Sequence, residues 1–135
     1  MAVEYSLSVQ EQYINVIAAG HITKLDEITN YAAEVIKHCH RVDCFLVLVD
    51  ERQLVHSLRI IDALRYIGFL VKNTPSRGRA AVLYHEHDAE QIRFVQNLAL
   101  NRNRALRFFK DEEKAKKWLL EKSEDFLCHS NMPKS

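Results

Sequence analysis

The sequence predicts a single α/β domain built on a largely parallel five-stranded sheet. Short segments of strand length alternate along the chain with segments of helical period, which is typical of βαβ units. Two of the short segments are continuously apolar, as in central strands covered on both faces. The length, 135 residues, suits one domain with its own core. The predicted order is β-β-α-β-α-β-α-β-α, with an antiparallel first strand at one edge and four helices.

The predicted strands fall into two groups. Residues 3–9, VEYSLSV, alternate strictly between apolar and polar side chains, and residues 13–20 follow after a short polar turn. This pattern indicates a hairpin whose first strand is buried on one face. The segments 44–50, CFLVLVD, and 79–85, RAAVLYH, are predicted as buried central strands, and 105–109, ALRFF, as the last strand.

Segments with the apolar periodicity of an α-helix separate these strands. The first helix is predicted to begin near Thr23, the second to span 57–71, the third to begin at Asp88 and the fourth at Asp111. Ser, Thr and Asp favour these positions because their side-chain oxygens accept hydrogen bonds from the free N–H groups of a helix start. We therefore expect Ser57 to cap the second helix.

Composition excludes several classes of protein. Nineteen basic residues balance eighteen acidic ones, so the positive excess typical of nucleic-acid binding is missing. No apolar run has the ~18 residues of a membrane span, and no signal peptide is evident. Three cysteines without a C-x-x-C spacing argue against a zinc knuckle or a disulfide framework and favour the cytoplasm. We expect one cytoplasmic domain at 1–126 and a flexible tail at 127–135.

The last third of the chain resembles a known family. Residues 94–119, FVQNLALNRNRALRFFKDEEKAKKWL, are similar to the C-terminal signature of small bacterial STAS/SEC14-domain, or SpoIIAA-like, proteins. That signature has an F-x-x-N-x-A-x-N-R turn, a short strand ending in Phe, and D-E-x-x-A-x-x-W-L. The matching residues are Phe94, Asn97, Ala99, Asn101, Arg102, Phe109, Asp111, Glu112, Ala115, Trp118 and Leu119. The resemblance implies a SpoIIAA-like fold and a non-enzymatic, regulatory module that binds a partner protein.

The resemblance also directs attention to one serine. In the anti-sigma factor antagonists of this family, a phosphorylated serine lies in a D-S-S-G-like turn after a central strand. The corresponding segment here is 49–60, VDERQLVHSLRI, with Ser57 near the serine position. However, His56 and Leu58 replace the flanking residues of the motif, so the phosphorylation motif is not intact. We expect a binding role without an efficient kinase.

The same segment is a candidate site on physical grounds alone. Ligands of open α/β sheets bind at the carboxyl ends of the strands, and the N–H groups of a helix start attract anions. Asp50, Glu51, Arg52, His56 and Ser57 lie between the predicted central strand and the second helix. The alternative is a solvated turn followed by a helix cap.

Two further candidates come from histidine and arginine residues. His85 and His87 share one face of an extended segment and are expected near the predicted loop 50–58. A third metal ligand is not identified, so we predict no metal. Arg102 lies in ALNRNRALRFF, residues 99–109, where it either holds an anion or neutralises the negative end of a helix.

Catalytic signatures are absent from the sequence. It contains no G-x-S-x-G elbow, no glycine-rich phosphate loop and no cysteine-protease signature, so we predict no enzyme and no cofactor. A hydrolase or metal site around His56, His85 and His87 remains the weaker alternative.

We predict an interaction module that binds a partner protein through the loop 50–58 and the following helix. The alternative is a small apolar ligand or lipid beneath the helices, as in SEC14-like proteins, because the helix 57–71 has a broad apolar face. An apolar cavity would favour the ligand, and an exposed apolar patch the partner. We also expect a homodimer, since crossovers that advance in one direction leave one sheet face or the edge strand 3–9 uncovered.

Overall fold

The computed structural model describes residues 3–75, 77–85, 89–102 and 105–121. Its strands are β1 (Val3–Val9), β2 (Ile14–Ile22), β3 (Leu46–His56), β4 (Arg79–Leu83) and β5 (Ala105–Phe109). Its helices are α1 (Leu25–Val42), α2 (Ile60–Asn73), α3 (Ala89–Asn101) and α4 (Glu112–Leu119). The sheet order is β1-β2-β3-β4-β5, with β1 antiparallel to β2 and the other neighbours parallel. The predicted fold class and element order are confirmed.

The two faces of the sheet are covered unequally. Right-handed crossovers that advance in one direction place α1, α2 and α3 on one face, where Val47 and Val49 of β3 point toward α1 and α2. The helix α4 packs on the opposite face against β3, β4 and β5. Leu46 and Leu48 alternate toward that face, and all four β3 side chains are buried. The prediction that 44–50 contains a central, two-sided strand is confirmed.

Strand β3 is longer than predicted. It ends at His56 rather than at Asp50, because β2 extends to Ile22 and supplies backbone hydrogen bonds to the added residues. The predicted loop 50–58 is therefore wrong over most of its length.

A β-bulge lies within this extension. Ile17 of β2 pairs with Asp50, but Ala19 pairs with Gln53, so β3 contains one more residue than β2 over this stretch. Beyond the bulge, the register continues regularly to the pair formed by Ile22 and His56.

Helix starts are stabilised partly by residues other than those predicted. At α1, a carboxylate oxygen of Glu27 accepts hydrogen bonds from the backbone N–H groups of Thr23 and Lys24, at 2.8 and 3.1 Å. At α4, Asp111 is the N-cap and accepts from the N–H of Glu113 at 3.1 Å, as predicted. The predicted start of the third helix at Asp88 lies outside the described residues.

Trp118 contacts an aromatic residue of the sheet. The Trp118 ring packs against Phe109 of β5, with ring centroids 5.8 Å apart.

Cys39 is buried and free, and burial raises the pKa of its thiol to about 12. Cys44 is also buried, but it is disulfide-bonded, contrary to the expectation from the sequence.

Within the described ranges, no helix is long and apolar enough to cross a membrane. The tail predicted at 127–135 lies outside these ranges.

Candidate functional site

The polar residues that follow the apolar part of β3 separate onto two faces of the sheet. Arg52 donates two hydrogen bonds to the carboxylate of Asp50, at 2.9 and 2.7 Å, and its Nη2 lies 3.6 Å from Glu112 at the start of α4. These hydrogen bonds lower the pKa of Asp50. Asp50 and Arg52 thus form an ion pair on the α4 face and connect β3 to that helix.

Glu51 points to the opposite face, toward α1, α2 and α3. The hydroxyl of Tyr31 donates to its Oε2 at 3.1 Å, and Nε2 of His56 lies 3.4 Å from its Oε1. The side chains of His56 and Glu51 are only 17% and 12% exposed, so this pair lies within the protein rather than in a solvated turn.

Glu51 borders an apolar cavity of about 140 Å³ between the sheet and the helices α1 and α2. Among the residues that line it are Val35, Phe45, Val47, Ile67, Leu70 and Val82. Tyr31 and Tyr66 also line it. A second cavity of about 60 Å³ is shared by Glu51, His56 and Tyr66 and extends toward Ile92 and Val95 of α3.

The carboxylate of Glu51 affects the pKa of both tyrosines. Burial, together with the negative charge of Glu51, raises the pKa of Tyr31 well above its ordinary value and raises that of Tyr66 as well. Their hydroxyls therefore stay protonated as hydrogen-bond donors at neutral pH.

Ser57 does not cap α2, so that expectation is wrong. The N-cap is Arg59, whose backbone N–H donates to Asp62 at 3.3 Å. The backbone N–H of Ser57 donates instead to the carbonyl of Ile22 at 2.8 Å, and its hydroxyl is hydrogen-bonded to Nε2 of His21 at 2.9 Å. The serine extends the pairing of β3 with β2.

The two described arginines of the segment 99–109 lie in different surroundings. The guanidinium of Arg102 lies over Gly68 of α2, with Nη1 3.7 Å from the place a Cβ would occupy there. The guanidinium of Arg107 stacks instead on Phe109 and Trp118, 5.1 and 5.6 Å from the ring centroids.

The structure describes two of the three histidine candidates, His56 and His85. His85 is exposed just beyond the end of β4, and His87 lies outside the described residues, so their predicted proximity to residues 50–58 stays a prediction. Within the part of the chain that the structure describes, no group of three or more His, Cys, Asp or Glu side chains could hold a metal ion.

Comparison with known proteins identifies the fold. No protein-family model matches the sequence, and no curated protein matches it significantly. The structure is similar to that of an uncharacterized DUF3478-family protein from Shewanella loihica PV-4 that has a SpoIIAA-like fold, with a TM-score of 0.57 and 17% sequence identity. The similarity covers 87% of this chain and 93% of the other. The chain has a SpoIIAA-like fold.

The segment 55–61 contains Ser57, the residue that the sequence resemblance places near the serine of the family motif. The segment joins the end of the central strand β3 to the start of α2. It exposes three large aliphatic side chains: Val55, Ile60 and Ile61 are 55%, 64% and 42% exposed. Ile60 and Ile61 belong to the broad apolar face predicted for the helix 57–71, but both are exposed at the start of α2.

Proposed function

We propose that this protein is a non-enzymatic, STAS-like interaction module that binds a partner protein through the segment 55–61. The observation that supports this most directly is the exposure of Val55 at the end of β3 and of Ile60 and Ile61 at the start of α2. Further along, α2 buries Ala63 and Ile67 in the core. Aliphatic side chains exposed within one short segment favour a protein–protein contact, since water solvates them poorly.

The polar groups around the segment favour binding over catalysis. The hydroxyl of Ser57 is paired with His21, and the carboxylate of Asp62 is paired with Arg59, 3.3 Å from its Nε. These side chains are held by neighbours of the same chain. Ser57, Arg59 and Asp62 are neighbours of the aliphatic residues in sequence, and a mixture of apolar and polar side chains is the usual composition of an interface.

Site-specific crosslinking tests this function. A photo-crosslinking residue is introduced at Ile60 in the native host, with a control at Lys72 in the last turn of the same helix. We expect an adduct from position 60 only, and mass spectrometry identifies the protein attached to it.

The identified protein is then purified, and its affinity is measured by calorimetry. The double variant Ile60→Ser/Ile61→Ser should bind at least about tenfold more weakly, because aliphatic anchors at the centre of an interface carry much of its affinity. The matched control is Leu100→Ser on α3, where the leucine is 69% exposed. Equal affinity of both variants and the parent protein would contradict the proposal.

A second candidate function, binding of a small and mainly apolar ligand, is supported by the cavity between α1, α2 and the sheet. Its volume of about 140 Å³ is close to that of an engineered cavity of ~150 Å³ that accepts benzene. A cavity of this size suits a molecule with one ring or a short branched chain rather than a lipid.

A further inference from the structure

We infer that the cavity between α1, α2 and the sheet binds a small organic cation, an amine with one ring or a short branched alkyl chain, whose ammonium group pairs with Glu51. This inference deepens the second candidate function and is independent of the segment 55–61.

The charge of the cavity wall is the first reason. Among the described residues, two charged ones line the cavity, Glu51 and Arg79. The guanidinium of Arg79 turns to the α4 face, where Nη1 donates to the carbonyl of Trp118 at 2.7 Å and the group stacks 4.9 Å from the Trp118 ring centroid. Within the part of the chain that the structure describes, the charged group that faces the cavity is therefore a carboxylate.

The state of that carboxylate is the second reason. One oxygen of Glu51 accepts a hydrogen bond from Tyr31 and the other lies near His56. A carboxylate offers about four lone-pair sites, so positions remain for a further donor on the cavity side. A carboxylate placed in apolar surroundings is costly unless it is well paired, which favours a cationic donor over a neutral one.

The aromatic residues beside Glu51 are the third reason. The rings of Tyr31 and Tyr66 line the cavity next to the carboxylate. Aromatic faces attract an ammonium group, and the attraction increases when water is excluded. Within the described ranges, the hydroxyl of Tyr66 has no hydrogen-bond partner, so it can accept a bond from the same ammonium group.

The remaining wall determines the rest of the ligand. Away from Glu51, the cavity is bordered by aliphatic and aromatic side chains such as Val35, Ile67 and Leu70. The ligand therefore has an apolar body, and the volume of about 140 Å³ limits that body to roughly the size of benzene.

The test is calorimetric titration of the full chain with benzylamine, benzyl alcohol and benzoate at about pH 8, where a free imidazole is neutral. We expect benzylamine to bind at least about tenfold more tightly than the alcohol, and benzoate not to bind, because the Glu51 carboxylate attracts the first and repels the last. Isoamylamine should bind like benzylamine.

Three variants locate the effect. In Glu51→Gln, the affinity for benzylamine should fall to that for benzyl alcohol. Asp50→Asn is the matched control, since it removes the same charge from the adjacent residue on the opposite face, and it should leave the preference unchanged. Ala80→Leu fills the cavity and should weaken both ligands; because it retains Glu51, it tests the location even if Glu51→Gln does not fold.

The outcomes separate the inference from the function on which it rests. Equal affinity for the amine and the alcohol would overturn the cation site but leave ligand binding intact. Binding of none of the compounds would refute both. Unchanged amine affinity in Ala80→Leu or in folded Glu51→Gln would show that the amine binds elsewhere and would overturn the inference.

Discussion

Replacing Leu119 by alanine should destabilise the protein more than replacing the larger Trp118 beside it. Leu119 is 0% exposed and belongs to the core between α4 and the sheet. The change removes three buried carbons at ~0.8 kcal/mol each, or ~2.4 kcal/mol. The space left unfilled adds ~1 kcal/mol. We expect the free energy of unfolding to fall by about 3–4 kcal/mol, within the range measured for buried leucines.

Trp118→Ala should cost less, in spite of the larger side chain. The Trp118 ring is only partly buried, and among the described residues it contacts the Phe109 ring and the guanidinium groups of Arg79 and Arg107. Exposed cation–π contacts are worth about 0.5–1 kcal/mol each. Its hydrogen bond with Arg79 uses the backbone carbonyl and survives the substitution. We expect a loss of about 2 kcal/mol, below the ~3–5 kcal/mol of a fully buried aromatic residue.

Urea unfolding followed by far-UV circular dichroism measures both changes, because this signal does not depend on the tryptophan. The midpoint for Leu119→Ala should fall by about 2 M urea, given a denaturant dependence of ~1.5–2 kcal/mol per molar. Leu120→Ala is the control, since Leu120 is 38% exposed and should change stability little. A smaller loss in Leu119→Ala than in Trp118→Ala would refute the view that α4 is held mainly by its buried leucine.

Three further predictions concern pH and assembly. The pKa of Tyr31 is raised by burial and by Glu51, so its stabilising effect is complete below about pH 10 and declines as the pH rises above that value. The difference in unfolding free energy between the parent and Tyr31→Phe should therefore shrink between about pH 9 and 11; a constant difference would contradict this. The pKa of Asp50 is lowered by hydrogen bonds from Arg52, so this stabilisation is present above the ordinary aspartate range and is lost as the pH falls through the lowered value. Asp50→Asn should reduce the acid dependence of stability, by less than about 1 kcal/mol because the pair is partly exposed; an unchanged acid dependence would count against it. Finally, sedimentation at micromolar concentration should show a homodimer, since β1 is an edge strand; a monomer alone would exclude it.

Much of the fold could be predicted because its signals are local. Alternation in VEYSLSV, the continuous run CFLVLVD and the helical periods are each visible within one segment, and the structure confirms them. The end of β3 could not be predicted in this way. Residues 50–53 are polar, but the strand continues past them because the backbone pairs with β2 as far as His56.

The start of α2 shows the same difference. Ser57 has the residue type of an N-cap, yet its backbone N–H is paired with Ile22 and its hydroxyl with His21, so the helix begins later, after Arg59. These partners are distant in sequence. The preference of a residue for a helix start cannot reveal them.

The candidate cavity site was harder to predict. In D-E-R, residues 50–52, three charged residues follow one another, and only the position of each in the paired strand determines that Glu51 faces the helices. For Tyr31 the sequence does carry a signal, because this residue lies beside Ala32 on the apolar face of α1, in helical register with Ile28 and Val35. A hydroxyl on a buried face requires a partner.

The extra residue in β3 allows the strand to lose one codon without turning its end over. Side chains alternate along a strand, so Glu51 and His56, five positions apart, would face opposite sides of a regular strand; the bulge brings them to the same side. Deleting one codon at Arg52 would remove the bulge and leave Glu51 and His56 four positions apart, so both would still face the same side of a regular strand. An ancestral single-codon deletion here would therefore leave the cavity wall and the aliphatic surface at the strand end in place, while the rest of the sheet kept its register.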